Sequence, residues 1–133
     1  MALTPIGVVR STLRSVRSAP NFYTEGAPAA FLEIRPEYRR GLRRIVPGDE
    51  IIVITWLHRA RRTGLTTIPE DDRRRPRTGV FRTRSPNRPN PLGLHRCTIL
   101  EVRVDGLAVG ALEAIDGTPI VDLKPVVAEA DDA

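Results

Sequence analysis

Cysteine, lysine, aromatic residues and long apolar runs are all scarce in this chain, and each scarcity excludes something. The one cysteine, Cys97, rules out an internal disulfide and fits a reducing compartment. No apolar run approaches the roughly 20 residues needed to cross a bilayer as a helix. The opening MALTPIGVVRSTLR lacks a charged start followed by an apolar stretch, so it does not read as a signal peptide. The cytoplasm is the expected location, with no membrane partner. Aromatics make up 5% of the residues against 41% hydrophobic, which predicts an aliphatic core. At 133 residues the chain suits one domain with a single core. No Gly-rich strand-to-helix turn, P-loop lysine or GxSxG appears, which argues against a Rossmann sheet, a P-loop NTPase and a serine hydrolase. His58, His95 and Cys97 lack metal-ligand spacing, so no metal site is expected.

What is present is arginine. Twenty of the 21 basic residues are arginine, Lys124 being the exception. Residues 1–100 carry nineteen arginines against eight acids, a net +11; the remainder carries −6, giving +5 in all. A basic surface of this size attracts phosphate backbones, although a GC-rich coding bias also enriches arginine.

The pattern along the chain is mostly β. PIGVVR (5–10) reads as a short strand, and in FLEIR (31–35) Leu32 and Ile34 alternate with Phe31, Glu33 and Arg35, which suggests a half-buried strand. Pro36 opens PEYRRGLRRI, which predicts one short helix with Tyr38, Leu42 and Ile45 on a shared face. EIIVITWLH (50–58) is β-branched and apolar enough for a central strand. Residues 59–77 are polar and Arg-rich and read as a long mobile loop. GVFRTR (79–84) reads as a further strand. From 94 to 104, Cys97, Ile99, Glu101 and Arg103 are expected to face opposite to Thr98, Leu100, Val102 and Val104. Asp105-Gly106 marks a hairpin, and Asp116-Gly117 leads into a last strand. Six or more short strands with one helix predict a mainly β fold, a small β-barrel over residues 1–126, with 127–133 a frayed tail.

Between two strand-like runs lies GVFRTRSPNRPNPLGLHR (79–96). Pro86, Pro89 and Pro91 fix φ and restrain Ser85, Arg88 and Asn90 before them. Arg84 and Arg88 offer bidentate donors, Asn90 a donor and an acceptor, and Gly93 permits close backbone approach. Such a segment suits a small, partly anionic ligand; a rigid linker is the plainer alternative. His58, at the end of the apolar strand, is either a packing residue or a base.

GVFRTRSPNRPNPLGL closely resembles the signature of the TsaA-like, tRNA methyltransferase O family, G-x-F-x-T-R-S-x-x-R-P-N-P-[IL]-G. The family's second block stands here as DGTPIVDLKP (116–125), and PIGVVRS, FLEIRPEYRRGL and WLHRA resemble it too. The likeness spans nearly the whole chain. It implies a small β-barrel that binds S-adenosylmethionine (SAM), usually as a homodimer, and methylates N6-threonylcarbamoyladenosine beside the anticodon of tRNA. It implies a SAM pocket lined by His58, Arg59, Arg84, Leu94, Asp116, Gly117, Thr118 and Pro119. Pro28-Ala29-Ala30 stands where many members carry Pro-Arg-Gln of the same pocket, and Val126 follows Pro125 where a tyrosine is usual. Asp116 or Asp122 is the candidate to take the acceptor's proton. Arg88, Asn90 and the loop arginines Arg73, Arg74 and Arg75 are the candidates to meet tRNA. A different methyl acceptor, or a barrel that binds SAM without turnover, are the alternatives.

Overall fold

The computed structural model describes residues 1–13, 28–69 and 72–127. The expected tail therefore lies outside the described residues except for Val127, as do Glu70 and Asp71 of the Arg-rich loop. Strands run β1 Gly7–Arg10, β2 Ala29–Ile34, β3 Glu50–Trp56, β4 Thr66–Thr67, β5 Thr78–Gly79, β6 Leu92–Arg103, β7 Gly106–Ala111 and β8 Pro119–Pro125. Six of them close a barrel in the order β1-β2-β7-β6-β3-β8, and β4 pairs with β5 in a separate two-stranded ribbon. The mainly β barrel expected from the alternation is the fold.

Alternation sorts the walls. Leu32 and Ile34 of β2 face inward and are fully buried, as their spacing predicts. In β3, Ile51, Val53 and Thr55 are buried, while Ile52, Ile54 and Trp56 are half-buried on the outer wall. That strand, laddered to β6 on one side and β8 on the other, is apolar on its outer face as well. The centre is aliphatic: Val9, Leu32, Val53, Leu107, Val109 and Ile120 have no exposed surface.

β6 changes partner along its length. Leu92–Thr98 ladders with β3, and Ile99–Arg103 with β7. A register shift between Ile99 and Glu101 breaks the expected alternation. Cys97 and Ile99 are buried but Glu101 and Arg103 are exposed, and Val102 pairs with buried Leu107. The β6–β7 hairpin forms as expected, but its two turn residues are Val104 and Asp105, with Gly106 opening β7. Glycine is needed there because a Cβ would run into the carbonyl oxygen of Leu32.

Three expectations need correcting. The predicted helix is a 3-10 helix over Pro36–Leu42. With three residues per turn, positions four apart no longer share a face; Leu42 and Ile45, three apart, pack on the core while Tyr38 is 37% exposed. GVFRTR is not a strand beyond Gly79: Val80–Arg82 turn into a 3-10 helix that buries Val80 and bonds its amide to the Leu65 carbonyl at 3.0 Å. The Arg-rich loop is not a free loop either. It supplies β4 of the β4–β5 ribbon, and its first half is bonded to the proline segment.

Because all barrel neighbours are antiparallel, one end gathers the finish of β1, β3 and β7 and the start of β2, β6 and β8. The long connections 57–91 and 112–118 both emerge there.

Candidate functional site

The site is built at that end. On its β1–β2 side, Leu112 donates to the Pro28 carbonyl at 3.1 Å, fixing where β2 begins. Ala29 and Ala30 follow and line a shallow outer groove of about 360 Å³ with Arg10, Ser11 and Phe31. Arg103 stacks over Phe31 at 5.2 Å while its guanidinium chelates Glu101.

The DGTP turn is a hub of main-chain bonds. Asp116 Oδ1 accepts from the Ser11 amide at 3.0 Å, and the Asp116 amide donates to Leu13 at 2.6 Å. Gly117, at φ 86°, donates to the Val9 carbonyl at 2.7 Å. Thr118 is buried and its hydroxyl donates to the Ile115 carbonyl at 2.7 Å. Pro119 opens β8 opposite Val8. Asp116 through Pro119 thus lock the β7–β8 connection to β1, and the Asp116 carboxylate has structural duties. Asp122 lies farther down β8, on the outer wall, with Oδ1 accepting from the Leu123 amide at 2.9 Å. It pairs with Ile54, which pairs in turn with Leu94, so Asp122, Ile54 and Leu94 form one row across three strands.

On the β3–β6 side stand His58, Arg59, Arg84 and Leu94. His58 and Arg59 follow β3 and are exposed. Partial burial, then the Arg59 charge, lower the His58 pKa, so its imidazole is neutral at pH 7. Arg84 is exposed and makes no hydrogen bond or ion pair with a described residue. Leu92 and Leu94 are 42% and 49% exposed on the outer wall beside Trp56 and Ile54.

Arginines elsewhere in the segment are engaged internally. Arg88 donates through one nitrogen to the carbonyls of Thr83 (2.8 Å) and Ser85 (3.1 Å), cinching the turn it belongs to. Arg62 stacks on Trp56 at 5.0 Å, donates Nε to the Pro89 carbonyl at 2.9 Å and bonds Asn90 Oδ1 at 3.3 Å. Asn87 Oδ1 accepts from the amides of Thr63 (3.1 Å) and Gly64 (2.8 Å). Gly64 is small for a reason: a Cβ would meet the Asn87 carbonyl oxygen. Residues 62–64 and 87–90 therefore form one braced unit on the end of β3. Of the two residues expected to contact substrate, Asn90 bonds into that brace and Arg88 holds its own turn. Arg73, Arg74 and Arg75 are exposed, and Arg74 is chelated by Asp72, whose carboxyl it holds below the usual range.

Sequence reasoning missed the polar pair inside the barrel. Thr55 Oγ1 and His95 Nε2 are 2.8 Å apart. Gly93 lies against them, since a Cβ there would strike Thr55 Oγ1 and come within 2.7 Å of Nε2. The close approach foreseen at Gly93 is thus to this internal pair. Burial first, and the Arg84 charge second, push the His95 pKa down to about 4. The available signal was the period of two that placed His95 on the face of Cys97. Cys97 itself is buried, and burial pushes its thiol to about 12, so it is inert packing. Among the described residues no three His, Cys, Asp or Glu side chains converge as a metal site would need, and no helix is long and apolar enough to cross a membrane.

The family model for the tRNA-methyltransferase O N-terminal domain matches residues 8–132. An S-adenosyl-L-methionine-binding protein of Archaeoglobus fulgidus is 40% identical over 98% of this chain and 93% of its own length. A probable S-adenosyl-L-methionine-binding protein of the same organism is 42% identical over 92% of this chain, which spans only 33% of that relative. A crystal structure of TrmO from Pseudomonas aeruginosa superposes with a TM-score of 0.76 at 25% identity, covering all of this chain and 58% of the other.

Proposed function

The chain belongs to the family of the tRNA-methyltransferase O N-terminal domain, and on that premise we propose that it is a SAM-dependent methyltransferase of tRNA, acting in the cytoplasm on N6-threonylcarbamoyladenosine beside the anticodon. The observation that carries this reading is the pairing of the family match with the Arg84 guanidinium, unpartnered among the described residues, on a braced proline segment.

The donor set suits the cofactor. SAM, when bound, supplies an electrophilic methyl group on a sulfonium. Arg84 offers the charge for its carboxylate, and the apolar outer wall around Ile54, Leu92 and Leu94 offers a shelf for its adenine. The main chain at Pro28 and Gly117 borders the same end of the barrel. Ala29 and Ala30 contribute a low floor there, so that contact at this stretch is to backbone. The chain's task is to hold the acceptor nitrogen in line and accept its proton. Asp122 is the carboxylate for that role, since Asp116 is tied to Ser11 and Asp122 shares the row of Leu94.

The acceptor is tested by incubating methyl-labelled SAM and bulk tRNA with the protein and digesting the tRNA to nucleosides. Label in methylated threonylcarbamoyladenosine is expected; SAM bound without transfer would mean a binding module, a reading favoured by the binding-only names of the two A. fulgidus relatives. Asp122→Asn should lower kcat and leave SAM affinity unchanged. Binding of tRNA should fall with salt by about 0.7–0.9 log units per phosphate contacted. Replacing Arg73 and Arg75 should flatten that slope more than replacing Arg74, which Asp72 already partly neutralises.

The working form we propose is a homodimer, in which a second copy supplies the other wall of the cleft that the apolar shelf opens. Sedimentation at 14.8 kDa with full SAM affinity would refute it.

A further inference from the structure

The Thr55–His95 pair has one consequence for ligand recognition. Thr55 is fully buried, and Nε2 of His95 is the one hydrogen-bond partner its hydroxyl has among the described residues. Were Nε2 protonated, it would donate to the hydroxyl, whose own hydrogen would then point into an apolar interior with nothing to accept it. An unmade bond of that kind is costly in a buried site. The hydroxyl therefore donates, Nε2 accepts, and the ring proton sits on Nδ1. Nδ1 has no hydrogen-bond partner among the described residues and is not sealed from solvent. Arg84, whose positive charge acts on this imidazole, is likewise unpartnered. Arg84 stands on the connection that enters β6 and His95 near the start of that strand, so both donors lie toward the same end of the barrel, with no acceptor for either among the described residues.

We propose that His95, held as the Nδ1–H tautomer by Thr55, and Arg84 form a two-donor site for a carboxylate. The inference rests on the SAM-dependent tRNA methyltransferase reading, in which two carboxylates are at hand: the methionyl carboxylate of SAM and the threonyl carboxylate of the acceptor nucleoside. Gly93 has a part in the site, because a side chain there would displace the hydroxyl that sets the tautomer. His95 is not a base in this arrangement. It is a neutral donor whose orientation a threonine controls.

The test is imidazole nitrogen NMR of the whole protein, followed by titration with SAM, with decarboxylated SAM, and with threonylcarbamoyladenosine. Nδ1 is expected to carry the proton, and a carboxylate-bearing probe to shift its resonance. A shift with SAM and not with decarboxylated SAM assigns the site to the cofactor; a shift with the nucleoside alone assigns it to the acceptor. Thr55→Val, which keeps the shape and removes the hydroxyl, should move the proton toward Nε2 and weaken that same probe on the order of tenfold. His95→Asn, which retains a donor near the Nδ1 position, should recover part of the loss that His95→Leu shows. A proton on Nε2 in the unaltered protein, or no shift with either carboxylate, overturns the proposal. Loss of SAM binding altogether, with the nucleoside still shifting Nδ1, would instead overturn the methyltransferase reading and leave the carboxylate site standing.

Discussion

The barrel and the connection from 57 to 91 are held together by opposite means. In the barrel, aliphatic side chains such as Leu32, Leu107 and Ile120 are removed from water and the strands pair backbone to backbone. The connection buries little beyond Val80. Its shape comes from side chains gripping main chain: Asn87 on the amides of 63 and 64, Arg62 on Pro89, Arg88 on Thr83 and Ser85. Pro86, Pro89 and Pro91 reduce the freedom that those bonds must overcome. The lesson concerns charge. An arginine count in such a segment overstates its capacity for phosphate, because part of the cationic inventory works as internal scaffolding.

Breaking the barrel should have the largest effect. Leu107→Ala leaves a cavity at a fully buried position and should cost about 2–5 kcal/mol of global stability, read by urea denaturation. Acid is the next lever. His95 has a pKa of about 4 in the fold against 6.5 when free, so the unfolded chain binds the proton more readily. The stability this gives neutral His95 is whole above pH 6.5 and is lost as pH falls from there toward about 4, at most about 3 kcal/mol. A His95→Gln protein should lack that part of the acid slope in denaturation curves taken across the window.

Cutting the connection should leave the barrel standing. Asn87→Ala removes the acceptor for two amides and should cost about 1–2 kcal/mol locally, seen as faster hydrogen exchange at Thr63 and Gly64 with barrel amides unchanged. If the barrel amides also accelerate, the two regions are one cooperative unit and the contrast drawn above fails. Smallest is Arg62→Lys, which keeps the charge but loses the planar fork. About 0.5–1 kcal/mol of stacking and bonding is at stake, and the emission of Trp56, the sole tryptophan, reports it directly. SAM affinity should fall with it, although Arg62 itself need touch no ligand.

Legibility followed the same division. Period-two alternation located β2 and the faces of Leu32, Ile34 and Cys97, because the side a residue takes on a sheet depends on its neighbours in sequence; the β-branched run located β3 and the Asp116-Gly117 turn β8. It failed at Leu100, where one bulge residue flips the faces, and at Val80, where a 3-10 turn replaced the expected strand. The candidate site was readable as a set of motifs, and the resemblance to tRNA methyltransferase O is carried by those same residues. Their duties were not readable. Asn90 and Arg88 also make bracing bonds that no motif announced, and nothing in the pattern paired Thr55 with His95.

Composition and pattern alone determined a mainly β chain with an aliphatic core, no internal disulfide and a stiffened cationic segment, since each depends on residue type and short-range spacing. Closure of the barrel, the braced unit of 62–64 with 87–90, and the meeting of Thr55 with His95 were decided only in three dimensions. The contacts of the braced unit and of the Thr55–His95 pair join residues 23 to 40 positions apart, and a donor does not specify in sequence which of many distant acceptors will satisfy it. That choice belongs to the packing that brings one within reach.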